Sequence, residues 1–135
     1  MMTPKPTRPR IARVFTTIDG LPSFESHERV KDSVEKSRIL AYLSAGELLL
    51  RTTGFTRDVT DTGKGDVVPM SFRTDGSWVW NDAVIYYLDS YDIGPQAELL
   101  THIRGRGHTF TAPTDEQISA AQDVLQERIE SSQQR

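Results

Sequence analysis

The sequence predicts a single α+β domain in which a small antiparallel sheet packs against helices. Residues 67–80 contain two apolar, β-prone runs separated by Asp75-Gly76, a dipeptide suited to a tight turn, so they predict a hairpin. From Asp82 onward the apolar period changes from that of a strand to about 3.6 residues, which indicates a helix. Along the chain, helices do not alternate regularly with strands, so the sequence favours an antiparallel sheet over a parallel, doubly wound one.

The amino-terminal region predicts a tail followed by a strand and a turn. Residues 1–10 contain three prolines and three basic side chains without apolar partners, which predicts a disordered tail. The folded domain is expected to span residues 11–130. Within it, residues 11–18 predict a strand and Asp19-Gly20 predicts a tight turn. Residues 21–26 predict a returning edge strand, because Pro22 cannot donate a ladder hydrogen bond.

The middle of the chain predicts a helix, a strand and a loop. Apolar residues recur at helical spacing after Ser26 or His27. Gly46 follows the last of them, where a residue of positive φ is expected to end the helix. Residues 47–53 predict a buried strand because they contain three consecutive leucines. Residues 55–66 are polar, contain three aspartates and predict an exposed loop.

Capping residues divide the carboxyl-terminal half into three helices. Asn81 is expected to cap the first, and Gly94-Pro95 is expected to end it and begin the second. Residues 104–108 predict an irregular connection. Pro113-Thr114, followed by acidic residues, predicts the start of a terminal helix. The last residues, 131–135, are expected to be a frayed end.

Composition argues against several classes of function. The formal net charge of −3 and the pI of about 5.6 make duplex nucleic acid an unexpected partner, because phosphate contacts need clustered Lys and Arg. The chain has no cysteine, so it has no disulfide, thiolate nucleophile or cysteine-bound zinc, which favours a cytoplasmic location. Neither a signal segment nor a membrane-spanning run is expected.

No motif in the sequence predicts catalytic residues, a metal site or a cofactor. Gly63-Lys64-Gly65 lacks the upstream glycine and the following Ser or Thr of a phosphate-binding loop. The aspartates of residues 55–66 lack the spacing of a calcium loop. His27, His102 and His108 lie on different predicted elements without zinc-ligand spacing. No Gly-x-Ser-x-Gly segment supports a serine nucleophile, so an enzyme is the less favoured class.

A paired-aromatic, acidic surface is the candidate binding site. Trp78 and Trp80 point to the same face of a strand because side chains alternate along it. At least one of them is expected in the core, but tryptophan is also enriched in interface hot spots. Between residues 58 and 98 eight acids stand against two basic residues, so this region would steer a basic protein partner. The predicted partner-binding residues are Asp75, Trp78, Trp80, Asp82, Tyr86, Asp89 and Asp92.

The segment RTDGSWVW at residues 73–80, followed by Asp82-Ala83-Val84 and Tyr86-Tyr87-Leu88, resembles a group of small actinobacterial proteins of unassigned role. The likeness runs from Ala41-Tyr42-Leu43 to His102-Ile103, and members of the group look like companions of secreted polymorphic toxins. The resemblance implies an immunity protein that neutralises a toxin domain, and it supplies no catalytic residues. The acidic surface fits this role, since a toxin cleft for an anionic substrate is often basic.

Two other functions stay open at this point. One is a small enzyme or ligand-binding protein with a pocket between the hairpin and the helices. The other is a regulatory protein that binds nucleic acid through its basic amino-terminal tail. The sequence predicts no cofactor for any of these functions, and it does not predict the oligomeric state.

Overall fold

A four-stranded sheet lies at the centre of the fold and packs against helices. The computed structural model describes residues 8–133. In chain order the elements are β1 (Arg10–Ile11), β2 (Thr16–Ile18), β3 (Leu21–Ser23), α1 (Ser33–Ala45), β4 (Glu47–Leu50), β5 (Phe55–Arg57), β6 (Asp66–Pro69), β7 (Phe72–Thr74), β8 (Trp78–Asn81), α2 (Asp82–Tyr91), α3 (Ala97–Gly105) and α4 (Asp115–Gln133). A short 3-10 helix, Thr62–Lys64, lies between β5 and β6. The predicted α+β class is confirmed.

The central sheet has the strand order β1-β8-β7-β4. The β4–β7 and β7–β8 pairs are antiparallel, but β1 pairs parallel with β8. The sheet is therefore mixed, because β1 adds a parallel edge to the antiparallel strands that the sequence predicts. Two further antiparallel hairpins, β2–β3 and β5–β6, lie outside it. The Asp19-Gly20 turn between β2 and β3 is confirmed, with positive φ at both residues.

The predicted hairpin is present as β7–β8, but it is shorter than expected. Thr74 pairs with Val79 beside the turn, whereas residues 67–69 belong to β6 and pair with β5. Gly76 in the turn has a φ of 94°, a conformation that favours glycine. The Asp75 carboxylate accepts two backbone N–H groups of the turn at 2.9 and 2.8 Å, and this local capping fixes the turn.

Both tryptophans of β8 lie in the core. Trp78 is 5% exposed, and Trp80 is fully buried together with the intervening Val79. Because both faces of β8 are covered, the strand has the continuous apolar sequence of an interior strand. The Trp80 indole donates its Nε1–H to the carbonyl of Leu43 at 3.1 Å. The Arg10 guanidinium lies over the Trp78 ring, 4.5 Å from the ring centroid.

Gly46 follows α1, but its role is not the one expected. Its φ is −52°, which any residue can adopt. A Cβ at this position would lie 2.6 Å from the Trp80 ring and 2.9 Å from the Cβ of Arg73. Glycine is needed here because α1 meets the central sheet without room for a side chain.

Helix α1 begins later than predicted. Asp32 is its N-cap, and the Asp32 carboxylate accepts the N–H groups of Val34 and Glu35 at 2.9 and 3.0 Å. Residues 26–32 are not helical. Val30 in this segment is buried in the core. It fits the helical spacing of apolar residues in the sequence, but it lies before the helix begins.

The side-chain caps that the sequence predicts for α2 and α4 are confirmed. The Asn81 side chain accepts a backbone N–H at 2.8 Å and caps α2. α2 is ended by Asp92, which has a left-handed φ of 60°, and not by the predicted Gly94-Pro95. At the start of α4 the Thr114 hydroxyl accepts the N–H of Gln117 at 3.2 Å.

The amino-terminal prediction is corrected in two places. β1 starts inside the predicted tail, and Arg8 pairs with Glu127 of α4, so residues 8–10 belong to the fold. Residues 1–7, the rest of that predicted tail, lie outside the described residues. The predicted strand at residues 11–18 is divided into β1 and β2, because the chain leaves the central sheet between them.

Helix α4 extends into the region predicted to fray. Its backbone is helical to Gln133, and residues 134–135 lie outside the described residues. The helix packs against β1, β4 and β8, with Ala121 and Leu125 buried. Within residues 8–133, no helix combines the length and the apolar character needed to cross a membrane.

Residues 55–66 are not the exposed loop that the sequence predicts. They contain β5 and the 3-10 helix, and β5 pairs with β6. Asp58, directly after β5, is fully buried. The polar sequence of this segment predicted a loop because the hydrogen-bond partners that allow Asp58 to be buried lie in α2, far away in the chain.

Candidate binding groove

Three of the seven predicted partner-binding residues lie in the interior. Asp75 is 1% exposed, Trp78 is 5% exposed and Trp80 is fully buried. The two indoles fill the core and Asp75 fixes the β7–β8 turn, so none of the three offers a side chain to a partner. The expected docking face centred on paired indoles is therefore corrected. Its premise was one open face of β8, and both faces are covered.

Two of the remaining residues have partners within the protein. Asp82 pairs with Arg73 at 2.9 Å. The Tyr86 hydroxyl donates to the buried carboxylate of Asp58 at 2.6 Å. Both Asp82 and Tyr86 are partly buried. These internal contacts would compete with contacts to an external partner.

Lys36 of α1 contacts both Asp89 and Asp92 near the end of α2. The Lys36 ammonium group lies 2.7 Å from the Asp92 carboxylate and donates to the backbone carbonyl of Asp89 at 3.0 Å. The Asp89 side chain is exposed. Both residues therefore contact Lys36, and Asp89 lies about 10 Å along the helix axis from Asp82. Partner binding through them stays a prediction.

An open groove of about 400 Å³ lies beside the central sheet. This volume is in the range of pockets that hold small molecules. β7, β8 and α2 each contribute lining residues, and two flanking segments, residues 11–15 and residues 56–59, border the groove. Its apolar lining includes Ile11, Val14, Phe15, Val59, Met70 and Phe72. All six are at least partly exposed.

The flanking segment at residues 11–15 is held by two hydrogen bonds. The N–H of Ala12 donates to the carbonyl of Val79 at 2.8 Å. The N–H of Arg13 donates to the side-chain Oε1 of Gln96 at 2.7 Å. Gln96 is buried, so this acceptor is shielded from competing water. The chain therefore leaves the sheet at a fixed point, and the residues that follow line the groove.

The flanking segment at residues 56–59 is fastened to α2 by a cluster that we call the tyrosine clasp. It consists of Asp58 and three tyrosines of α2. The Asp58 Oδ2 accepts hydrogen bonds from Tyr86 and Tyr91 at 2.6 and 2.7 Å. The N–H of Val59 donates to the hydroxyl of Tyr87 at 2.9 Å. The clasp thus fixes a segment that borders the groove.

Hydrogen bonding keeps the Asp58 carboxylate ionised. Burial by itself raises the pKa of Asp58, but hydrogen bonds from Tyr86, Tyr91 and Thr60 outweigh it and hold this pKa well below its usual value of 3.8. The same contact, more than burial, raises the pKa of Tyr86 to about 12. At neutral pH the clasp therefore joins a charged carboxylate to a neutral phenol.

The charged residues that line the groove are all basic. They are Arg13, Arg57 and Arg128, and no aspartate or glutamate of the described chain lines it. The whole chain has a formal net charge of −3. An acidic protein thus has a basic groove, and the local field inside it favours negative charge.

A second buried carboxylate, Asp75, lies outside the groove. Its Oδ2 accepts the Tyr42 hydroxyl at 2.5 Å and lies 2.8 Å from the Nε2 of His102. The Arg106 guanidinium is 3.9 Å away. Burial raises the pKa of Asp75, but hydrogen bonds from Tyr42, from the backbone of the turn and from His102 hold it below its usual value.

An aspartate that orients a histidine is a known arrangement in acid–base catalysis. Among the described residues, however, no serine or threonine hydroxyl contacts the other ring nitrogen of His102. The Asp75 carboxylate instead joins α1, the β7–β8 turn and α3 through Tyr42 and His102. The contacts of Asp75 therefore explain how the helices hold the hairpin, and they do not assemble a nucleophile.

The remaining ionic cluster is nearer the surface. Arg104 pairs with Glu28 at 2.5 Å and with Glu35 at 2.8 Å. Hydrogen bonds from Arg104 and then His108 lower the pKa of Glu35 to about 2. His27 lies elsewhere, with its Nδ1 2.7 Å from the carbonyl of Gly94. Within residues 8–133 no group of three or more His, Asp or Glu side chains is arranged to hold a metal ion.

The groove residues were missed by sequence reasoning. A usable signal is an arginine two positions from an aromatic residue, as in Arg13 with Phe15, both of which line the groove. Residues two apart share one face of an extended segment. Only the fold shows that Arg13 and Arg57, from segments distant in the chain, border one groove.

No known protein family, curated protein or solved structure matches this chain. The likeness to toxin-associated proteins gains no support from these comparisons. The function therefore has to be inferred from the groove and the residues around it.

Proposed function

We propose that the protein is a non-enzymatic binding protein that holds a small, largely apolar ligand in the groove. The observation behind this proposal is a concave site of about 400 Å³ with partly exposed apolar side chains. Val14, Phe15 and Phe72 are among them. Apolar surface left in water is unfavourable, and small-molecule sites are concave and lined mainly by apolar side chains. An apolar ligand would remove this surface from water.

The support around the groove favours a binding role. The tyrosine clasp holds one flanking segment, and Gln96 holds the other through the backbone of Arg13. A site whose walls are already fixed loses little conformational freedom when a ligand enters. The groove therefore has the preformed character of a small-molecule site.

The groove offers few groups suited to catalysis. Among the described lining residues there is no aspartate, glutamate or histidine, and the polar side chains other than arginine are Thr56, Asn81 and Tyr87. Burial raises the pKa of Tyr87, so its phenol stays neutral at physiological pH. This lining supports binding in preference to acid–base or nucleophilic chemistry.

Toxin neutralisation stays a prediction, and the groove does not favour it. A toxin cleft for an anionic substrate would be basic. The groove is basic as well, so like charges would oppose docking there. An acidic contact with such a cleft would have to use residues outside the groove, such as Asp89.

Fluorescence titration with N-phenylnaphthylamine, a neutral probe that brightens in apolar surroundings, tests the proposal. We expect saturable binding to a single class of site. Thr56 is exposed and lines the groove, so Thr56→Trp would place an indole inside it. This variant is expected to weaken probe binding about tenfold or more.

Thr17→Trp is the matched control, because Thr17 is an exposed strand residue that does not line the groove. It is expected to bind the probe as the unsubstituted protein does. Absence of saturable binding by the unsubstituted protein, or equal loss in both tryptophan variants, would contradict the proposal.

A further inference from the structure

The groove has a charge pattern that an uncharged ligand does not explain. It is lined by three arginines and, within the described residues, by no acidic side chain, on a chain with 19 acidic and 16 basic residues. Basic side chains that face partly exposed apolar surface suit a ligand with an apolar body and a negative head group. Such segregation of charge raises the local concentration of an anion.

Arg57 is the arginine best placed to receive such a group. Within residues 8–131 its guanidinium has no hydrogen-bond or ion-pair partner. Asp66 lies opposite Arg57 across the β5–β6 hairpin, yet no ion pair joins the two. The neighbouring Asp58 carboxylate points into the tyrosine clasp, where two phenols bind it. The Arg57 guanidinium therefore remains available for a ligand.

Arg13 borders the same groove from the other flanking segment. Its backbone is fixed by Gln96, so the side chain starts from a defined position. The pKa of Glu98 is lowered first by hydrogen bonds, then by the charge of Arg10 and last by the charge of Arg13. Because the positive charge of Arg13 already interacts with the Glu98 carboxylate, we expect Arg13 to contribute less to ligand binding than Arg57.

We infer that the groove takes an amphipathic anion whose apolar body lies against the groove lining and whose oxyanion head group binds Arg57 and Arg13. This inference rests on the proposed function of the groove as a binding site. A guanidinium group presents paired N–H donors that match a carboxylate or a phosphate. The two head groups share this chemistry, and the experiment below separates them.

Displacement of N-phenylnaphthylamine by four decyl compounds tests the inference. Decanoate, decyl phosphate, decanol and decylamine share one apolar chain and differ in head group. We expect the better of the two anions to bind about tenfold more tightly than decanol, since a hydrogen bond to a charged group contributes about that factor. Decylamine is expected to bind most weakly. The order of decanoate and decyl phosphate identifies the preferred head group.

The double variant Arg13→Gln with Arg57→Gln is expected to bind the anion and decanol equally, because the apolar lining stays and the two guanidinium groups are gone. The ratio of the anion affinity to the decanol affinity is compared within each protein, so a general change in the groove affects both ligands and cancels. Arg38→Gln with Arg51→Gln is the matched control, because both residues are exposed, lie outside the groove and produce the same change in net charge. This control is expected to keep the preference for the anion.

Equal affinity of the unsubstituted protein for decanol and both anions would overturn the inference and leave the proposed function standing. Loss of the preference in the control double variant would overturn it too, because general charge and not the groove arginines would then explain it. The proposed function itself would instead be contradicted if the unsubstituted protein did not bind the probe, or if Thr56→Trp bound it equally well. The two failures are thus distinguishable.

Discussion

The hydroxyl of Tyr86 donates a hydrogen bond of 2.6 Å to the buried carboxylate of Asp58, a residue 28 positions earlier in the chain. Tyr91 donates to the same carboxylate oxygen at 2.7 Å. These contacts tie the β5–β6 hairpin to α2, and the segment that they fix borders the groove. The tyrosine clasp therefore links the stability of the fold to the shape of the proposed site.

Asp58→Asn is expected to destabilise the protein by roughly 2 kcal/mol, because hydrogen bonds to a charged group contribute about 1.5 to 3 kcal/mol. An amide of the same shape accepts more weakly and leaves the phenol groups of Tyr86 and Tyr91 poorly paired. Affinity for N-phenylnaphthylamine is expected to fall as well, since residues 56–59 lose their anchor. Urea unfolding and probe titration measure the two effects.

Asp89→Asn is the control for this substitution, because Asp89 is exposed on α2, the helix that carries the tyrosines of the clasp. Its free energy of unfolding is expected to stay within about 0.5 kcal/mol of the unsubstituted value. Equal stabilities for the two variants would show that the clasp adds nothing to the fold. A destabilised Asp58→Asn protein with unchanged probe affinity would separate the clasp from the groove.

The stabilisation by Asp58 is expected to depend on pH. Its pKa is lower in the folded protein than its usual value of 3.8, so its ionised form stabilises the fold at pH values above the pKa of the unfolded chain. The stabilisation is lost as the pH falls from about 4 toward the folded-state pKa. The difference in unfolding free energy between the unsubstituted protein and Asp58→Asn should therefore be largest near neutral pH and shrink in acid. A difference that grows below about pH 4 would contradict this assignment.

Gly46→Ala is expected to destabilise the protein by about 1 to 3 kcal/mol, the usual cost of forcing extra atoms into a packed core. Its Cβ would lie 2.6 Å from the Trp80 ring, and neither the indole nor the nearby Arg73 Cβ can move aside easily. Gly54→Ala is the control, since a Cβ there meets nothing within 4 Å. Thermal unfolding compares the two variants, and equal stabilities would show that the close approach of Trp80 is not a constraint.

Iodide is expected to quench the fluorescence of both tryptophans weakly. Trp80 is fully buried, and Trp78 is 5% exposed beneath the Arg10 guanidinium. Trp78→Phe and Trp80→Phe isolate each indole in turn, and the urea-unfolded chain gives the fully accessible reference. Strong quenching of either indole in the folded protein would restore the paired-aromatic surface as a docking site.

Local signals in the sequence are sufficient where a side chain acts on nearby backbone. The Asn81 cap, the Thr114 cap and the Asp19-Gly20 turn each depend on residues within a few positions. The same reasoning placed Gly46 at the right end of α1 but for the wrong cause. Its cause is a contact with Trp80, which local patterns do not contain.

Long-range partners explain what the sequence could not predict. Asp58 reads as a loop residue because carboxylates are usually exposed, and its burial depends on tyrosines in another element. Both indoles are buried because both faces of β8 are covered. The alternation of side chains along a strand does not show whether one face or both faces are covered. The groove is less predictable still, because Arg13 and Arg57 meet only through the tertiary fold.

Amide chemical-shift mapping during titration with N-phenylnaphthylamine tests the location of the binding site most directly. The largest saturable shifts are expected at Val14, Val59 and Tyr87, which line the groove from three separate parts of the chain. Saturable shifts centred instead on Leu50 and Leu125, in the small cleft between β4 and α4, or no saturable shifts at all, would contradict the groove as the binding site.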